Sequence, residues 1–173
     1  MKISLQNVSK QYKGKYALKD FTTELTEGVY GLLGANGAGK TTLINIFVGI
    51  LGSDGGTVLI DGQDAGTLGK DFLSKIGYMP QYPIFYRGFT VMDFLLYMCA
   101  LKGIPDKQGK KRALELLSIV NLSDAKEKKI GALSGGMRQR VGIVQAMLGD
   151  PEILILDEPT AGLVFIFPVA SVL

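Results

Sequence analysis

Residues 31–42 read GLLGANGAGKTT, and this stretch decides the fold. It meets the pattern G-x-x-x-x-G-K-[ST] at Gly34, Gly39, Lys40 and Thr41. The chemistry behind the pattern is a cradle for phosphate. Glycines let the backbone curl until its N–H groups point inward at an anion. Gly34, Asn36, Gly37, Ala38 and Gly39 are therefore candidate cradle residues, with Gly37 expected at the sharpest bend. Lys40 would reach the β- and γ-phosphates of a nucleoside triphosphate, and the Thr41 hydroxyl would coordinate Mg²⁺. Thr42 closes the stretch at a helix N-terminus, whose partial positive charge favours the anion. A match at four constrained positions arises by chance in about one chain in a hundred of this length. Context strengthens it: the apolar run Val29 to Leu33 predicts a strand before the loop, and Leu43, Ile44, Phe47 and Val48 recur at helical spacing after it. A plain glycine turn would leave Gly39-Lys40-Thr41 unexplained.

Working outward, the 173 residues suffice for one domain, burying about 70% of the unfolded surface. The single cysteine, Cys99, lies in an apolar segment and is expected in the core of a cytosolic protein. A net charge of +3 does not argue for nucleic acid. Lys107, Lys110, Lys111, Arg112, Lys126, Lys128 and Lys129 are interleaved with Asp106, Glu115, Asp124 and Glu127, which predicts a solvated helical face. The N-terminus MKISLQNVSK does not resemble a secretory signal, and no run reaches the roughly 18 apolar residues of a membrane span. A role at membranes would run through a partner.

The segments read as α/β. Extended runs around Ile3 to Val8, Ala17 to Leu25 and Val29 to Leu33 predict an N-terminal antiparallel unit leading into the phosphate-loop strand. A helix through Ile50 is expected to stop at Gly52. Strands follow at Thr57 to Ile60 and Lys75 to Met79. From Thr90, a capping box with Asp93 starts a helix, and a second follows Pro105 with Ala113, Leu116, Leu117 and Val120 as its stripe. These helices predict a helical subdomain, residues 84–150, inserted in the core.

Two further elements carry chemistry. Ser134 is a favoured helix N-cap, and Gly135-Gly136 leave the first helical N–H groups open to an external anion. The stretch ILILDEP, Ile153 to Pro159, reads as a fully buried parallel strand with carboxylates at its carboxyl end, where ligands sit in open α/β sheets. Asp157 is placed to hold Mg²⁺, and Glu158 to orient and deprotonate the water that attacks a γ-phosphate.

Together these residues resemble the nucleotide-binding domain of ATP-binding cassette (ABC) proteins, from the chain start to about Leu163. LSGGMRQR, Leu133 to Arg140, is similar to the signature of that family. The resemblance implies a P-loop ATPase core with an antiparallel β subdomain and a helical subdomain, binding ATP and Mg²⁺. It places Gln81, in GYMPQ, as a glutamine that contacts Mg²⁺ and the transmembrane partner. It places Tyr12 as the aromatic residue that stacks on adenine, with Tyr16 close by. It implies two domains paired head to tail, so that Ser134 and Gly136 of one touch the γ-phosphate held by Lys40 of the other. GLLGANGAGKTT and IGYMPQ look most like ATPases of ABC-2-type or multidrug exporters. The implied function is a cytoplasmic ATPase subunit, peripheral on the inner face of the cell membrane, driving a transmembrane permease. A non-catalytic nucleotide-binding fragment and a soluble ABC ATPase of another role are the alternatives.

The C-terminal residues depart from the family pattern. Val164 stands where the family has an aspartate, and the chain contains no histidine, where the family places one against the γ-phosphate. VFIFPVASVL, residues 164–173, is uncharged and interrupted by Pro168. The reading is a single cassette, truncated or frame-shifted after about Leu163, lacking the C-terminal part of its core and impaired in hydrolysis. A buried terminal strand with a proline break is the other reading of this tail.

Overall fold

Ile3, Leu5 and Val8 are buried along β1 (Ile3–Tyr12), which turns at Lys13 and Gly14 into β2 (Lys15–Leu25). Both turn residues have positive φ, 49° and 78°, the backbone that a two-residue hairpin of native twist requires. The computed structural model describes residues 1–35, 37–160 and 163–168, from Glu158 onward as backbone alone. After β3 (Tyr30–Leu32) and α1 (Lys40–Phe47) come β4 (Gly55–Ile60), β5 (Gln63–Asp64), α2 (Ala65–Ser74) and β6 (Ile76–Met79). Helices α3 (Val91–Leu101), α4 (Asp106–Ile119) and α5 (Gly135–Met147) precede β7 (Ile153–Thr160) and β8 (Leu163–Pro168).

The strands form two sheets. One is antiparallel, in the order β2-β1-β4-β5; the other runs β3-β8-β7-β6. In the second, β6 and β7 are parallel, while β8 is antiparallel to both of its neighbours, so β3, β7 and β6 all point the same way. Period-2 alternation along β7 divides it between two cores. Ile153 and Ile155 pack with α1 and the antiparallel sheet, whereas Leu154 and Leu156 pack with α3, α4 and α5. Burial on both faces explains the unbroken apolar run, as expected. The expected parallel pairing holds only on the β6 side. On the other side the chain returns at once, with Thr160 opposite Leu163, and so short a connection can only lay β8 antiparallel.

Several boundaries differ from the sequence reading. Helix α1 ends at Phe47, short of the expected Ile50, because Gly49 takes a left-handed φ of 75°. Its N–H donates to the Ile46 carbonyl at 3.1 Å and that of Ile50 to Asn45 at 2.9 Å, which closes the helix as a Schellman motif. Helix α2 was not expected: AGTLGKDFLS carries two glycines, and Gly69, at φ 58° and ψ −140°, breaks it internally. Asp64 caps it by accepting the Gly66 N–H at 2.8 Å. The Thr90–Asp93 capping box forms, with reciprocal bonds of 3.1 and 3.2 Å. Residues 163–168 pair on both sides as the strand β8; their burial, and Val169 to Leu173, lie outside the described residues.

Candidate nucleotide site

Three chain segments leave one edge of the second sheet. Leu32 on β3 and Asp157 on β7 both pair with Val164, so they stand in one row across the sheet, two strands apart. Met79 pairs with Leu156 one residue earlier. The loop beginning at Leu33, the acidic end of β7 and the segment reaching Gln81 therefore emerge together at the carboxyl ends of three parallel strands, where open α/β sheets receive ligands.

Above this edge lies a cleft of about 320 Å³ lined by Tyr12, Ala17, Gly37, Gly39, Lys40, Thr41, Thr42 and Gln81. Seven of these eight are residues singled out from the sequence; Tyr16 is not among them. Ala17 was missed, because an alanine carries no chemical signal, yet it sets the tightest constraint in the loop. A Cβ on Gly39 would lie 2.3 Å from the Ala17 carbonyl oxygen, and Gly39 has a φ of 89°. Gly37 is also left-handed, at φ 83°, but a Cβ there meets nothing within 4 Å. Gly37, expected at the sharpest bend, is thus left-handed but sterically free, and the steric demand falls on Gly39, where the loop passes under the β2 backbone.

Gly39 is the N-cap of α1 and offers no side-chain cap, so the first N–H groups of the helix face the cleft without an internal partner of that kind. Lys40 is 8% exposed, and its Nζ donates to the carbonyls of Gly34 at 2.6 Å and Ala35 at 3.1 Å. The lysine braces the loop that it opens onto. Ala38 closes the turn by donating its N–H to the Ala35 carbonyl at 3.1 Å. Asn36 lies outside the described residues.

Asp157 is buried, at 1% exposure. Burial pushes the Tyr78 phenol up to about 12, and the negative charge of Asp157 adds to the rise. Glu158 continues β7 directly after Asp157; its side chain lies outside the described residues. Thr41, Gln81 and Asp157 offer only oxygen ligands, a hard donor set suited to Mg²⁺. Among the described residues no three His, Cys, Asp or Glu side chains gather into a metal cluster. Such a donor set leaves room for phosphate oxygens around the ion.

Ser134, Gly135 and Gly136 are not part of the cleft lining. They form the start of α5, where the Ser134 hydroxyl accepts the Met137 N–H at 3.2 Å. Cβ atoms on Gly135 and Gly136 would meet nothing within 4 Å, so this helix start is open. Two arginines brace it: Arg138 donates to the Leu133 carbonyl at 2.5 Å and Arg140 to the Val120 carbonyl at 3.0 Å.

The family model for ABC transporters matches residues 18–161. The ABC transporter ATP-binding protein YxlF of Bacillus subtilis is 38% identical over 164 residues, covering 93% of this chain and 53% of its own length. The Nod factor export ATP-binding protein I of Burkholderia orbicola is 34% identical over 162 residues, with the same coverages of 93% and 53%. The dimeric structure of a bacterial ABC transporter cassette superposes with a TM-score of 0.77 at 31% identity, covering 92% of this chain and 75% of that one. The chain spans about half the length of the curated relatives it matches. With its phosphate loop, the Ser134 helix start and the whole β7 strand inside the matched residues, the chain belongs to the ABC transporter family, as an ATP-binding domain of the P-loop ATPase fold.

Proposed function

We propose that this chain serves as the ATP-binding subunit of an ABC exporter, coupling ATP binding and hydrolysis to export through separate transmembrane permease chains. The observation that carries the reading is the cleft, where Tyr12, the N-terminus of α1, Lys40, Thr41 and Gln81 share one lining. Tyr12 would stack on adenine. The free N–H groups of α1 and the loop from Gly34 to Gly39 would hold the phosphates, with Lys40 turning from its own carbonyls to the β- and γ-phosphates. Mg²⁺ at Thr41, Gln81 and Asp157 would neutralise charge on the phosphates, and Glu158 would take the proton of the attacking water. The export direction rests on the likeness of GLLGANGAGKTT and IGYMPQ to exporter ATPases, and on one relative being named for Nod factor export.

Residues 1–173 form one incomplete cassette domain, with about 84–150 as its helical subdomain and 164–173 as an atypical apolar tail. The open α5 start supports pairing with a second ATPase domain head to tail, so that Ser134, Gly135 and Gly136 close on a phosphate held by Lys40 of the other copy; one structural relative is a dimer. Among the described residues no helix is long and apolar enough to cross a membrane. Attachment to the inner face of the cell membrane would come through the permease.

A second reading, nucleotide binding with little turnover, is favoured by one observation: Val164 stands where the family has an aspartate. A titration of Mg-ATP beside a phosphate-release assay separates the readings. Binding that Lys40→Ala abolishes, with negligible turnover, supports the second. Robust turnover lost on Glu158→Gln supports the first and identifies the base.

A further inference from the structure

β1 outruns its partner β4. The ladder between them ends at Ser9 and Gly55, so Lys10, Gln11 and Tyr12 continue with β2 alone beside them. A two-stranded ribbon is marginal in water. Asp54, the residue before β4, extends the lost ladder with its side chain. Its N–H donates to the Ser9 carbonyl at 2.9 Å. Its Oδ2 accepts the Gln11 N–H at 2.8 Å, and its Oδ1 accepts Lys10 Nζ at 2.7 Å. Lys10 is itself held, with its side chain 15% exposed. These bonds grip the two residues directly before Tyr12, while the left-handed pair Lys13-Gly14 fixes the turn directly after it. Tyr12 lines the cleft and Asp54 does not.

We infer that Asp54 is a positioning residue for nucleotide recognition: it clamps the tip of the β1–β2 hairpin so that the Tyr12 ring stands at a fixed place over the purine, without touching the nucleotide itself. The inference rests on the proposed stacking of Tyr12 on adenine. The Lys10 ammonium, and then the Gln11 N–H, hold the Asp54 carboxyl below the usual carboxylate range, so the clamp is closed at neutral pH.

The test compares Mg-ATP with Mg-tripolyphosphate, which lacks the base, by calorimetric titration of the 173-residue chain and its Tyr12→Ala, Asp54→Ala, Asp54→Asn and Tyr12→Ala/Asp54→Ala variants. Removing the stacking ring is expected to weaken ATP binding roughly tenfold. Asp54→Ala should weaken it about threefold, and Asp54→Asn, which keeps an acceptor for Gln11, by less. Tripolyphosphate affinity should not move, and the double variant should bind ATP no more weakly than Tyr12→Ala alone. An Asp54 effect that also appears with tripolyphosphate, or that adds in full to Tyr12→Ala, overturns the inference. If Tyr12→Ala weakens ATP and neither Asp54 variant does, the clamp falls while the stacking reading stands. If Tyr12→Ala leaves ATP binding intact, the stacking reading falls and takes the clamp with it. Should Asp54→Ala fail to fold, Asp54→Asn carries the same comparison.

Discussion

Two helix starts in this chain look alike in sequence and differ in construction. Both α1 and α5 open after glycines, and both expose N–H groups suited to an anion. At α1 the glycine is compulsory: Gly39 is left-handed and lies beneath the Ala17 carbonyl, and Lys40, Thr41 and Tyr12 surround the same space. At α5 the glycines are sterically idle within the chain, the N-cap is an ordinary serine, and the two nearby arginines donate to backbone carbonyls. A helix start walled by its own chain can take up a ligand before any partner arrives. A helix start with open space in front of it is built to meet one carried by something else.

The largest expected effect breaks the comparison at its steric root. Gly39→Ala places a Cβ against a backbone oxygen in a left-handed conformation, so neither neighbour can yield cheaply. Thermal unfolding should show a loss of about 3 kcal/mol or more, with ATP binding lost alongside. Gly136→Ala should do the reverse. It fills open space in a helix and should stabilise the isolated chain by about 0.5–1 kcal/mol. If both changes destabilise equally, the contrast between a walled and an open helix start fails.

Much of this contrast was legible beforehand. The strand, loop and helix around Gly34 to Thr42 follow from an apolar run, a glycine cluster and a helical stripe, all local signals. The Ser134 cap and the Thr90–Asp93 box are likewise readable, because capping depends on residues three positions apart. The rest depends on contacts distant in sequence. Nothing in Ala17 announces that its carbonyl polices Gly39, and nothing in Asp54 announces that it holds Lys10 and Gln11. Helix α2 was hidden by its own glycines, since propensity argues against a helix that Asp64 and the packing of Phe72 nonetheless support. The place of β8 was unreadable for a different reason: an apolar run does not say which strand it will pair with.

A smaller effect tests the α5 start as a cap. Ser134→Ala removes the acceptor of the Met137 N–H and should cost about 1 kcal/mol in stability while leaving the ATP affinity of a single chain unchanged. The Lys40 cleft contains no part of α5, so any loss of affinity in dilute protein would show that the two helix starts are not independent. Loss confined to concentrated protein, where copies meet, would sharpen the head-to-tail reading instead.

The smallest effect concerns charge, which the two regions also distribute differently. The first turn of α5 carries no acidic residue, whereas the sheet edge beneath the cleft carries the buried Asp157, whose field reaches Tyr78. Burial is the main reason that the Tyr78 phenol stands near 12 instead of 10, and Asp157 contributes the remainder. Because the folded value is raised, the neutral phenol favours the folded state fully below pH 10, and that contribution is lost as the pH climbs through about 12. Asp157→Asn keeps the shape and removes the charge. The Tyr78 titration, followed by ultraviolet difference absorption, should then move down by a fraction of its total shift, because desolvation persists. A full return to 10 would mean that the charge, not burial, governs Tyr78, and that the interior beside the Asp157 carboxylate is wetter than the packing of β6 and β7 implies.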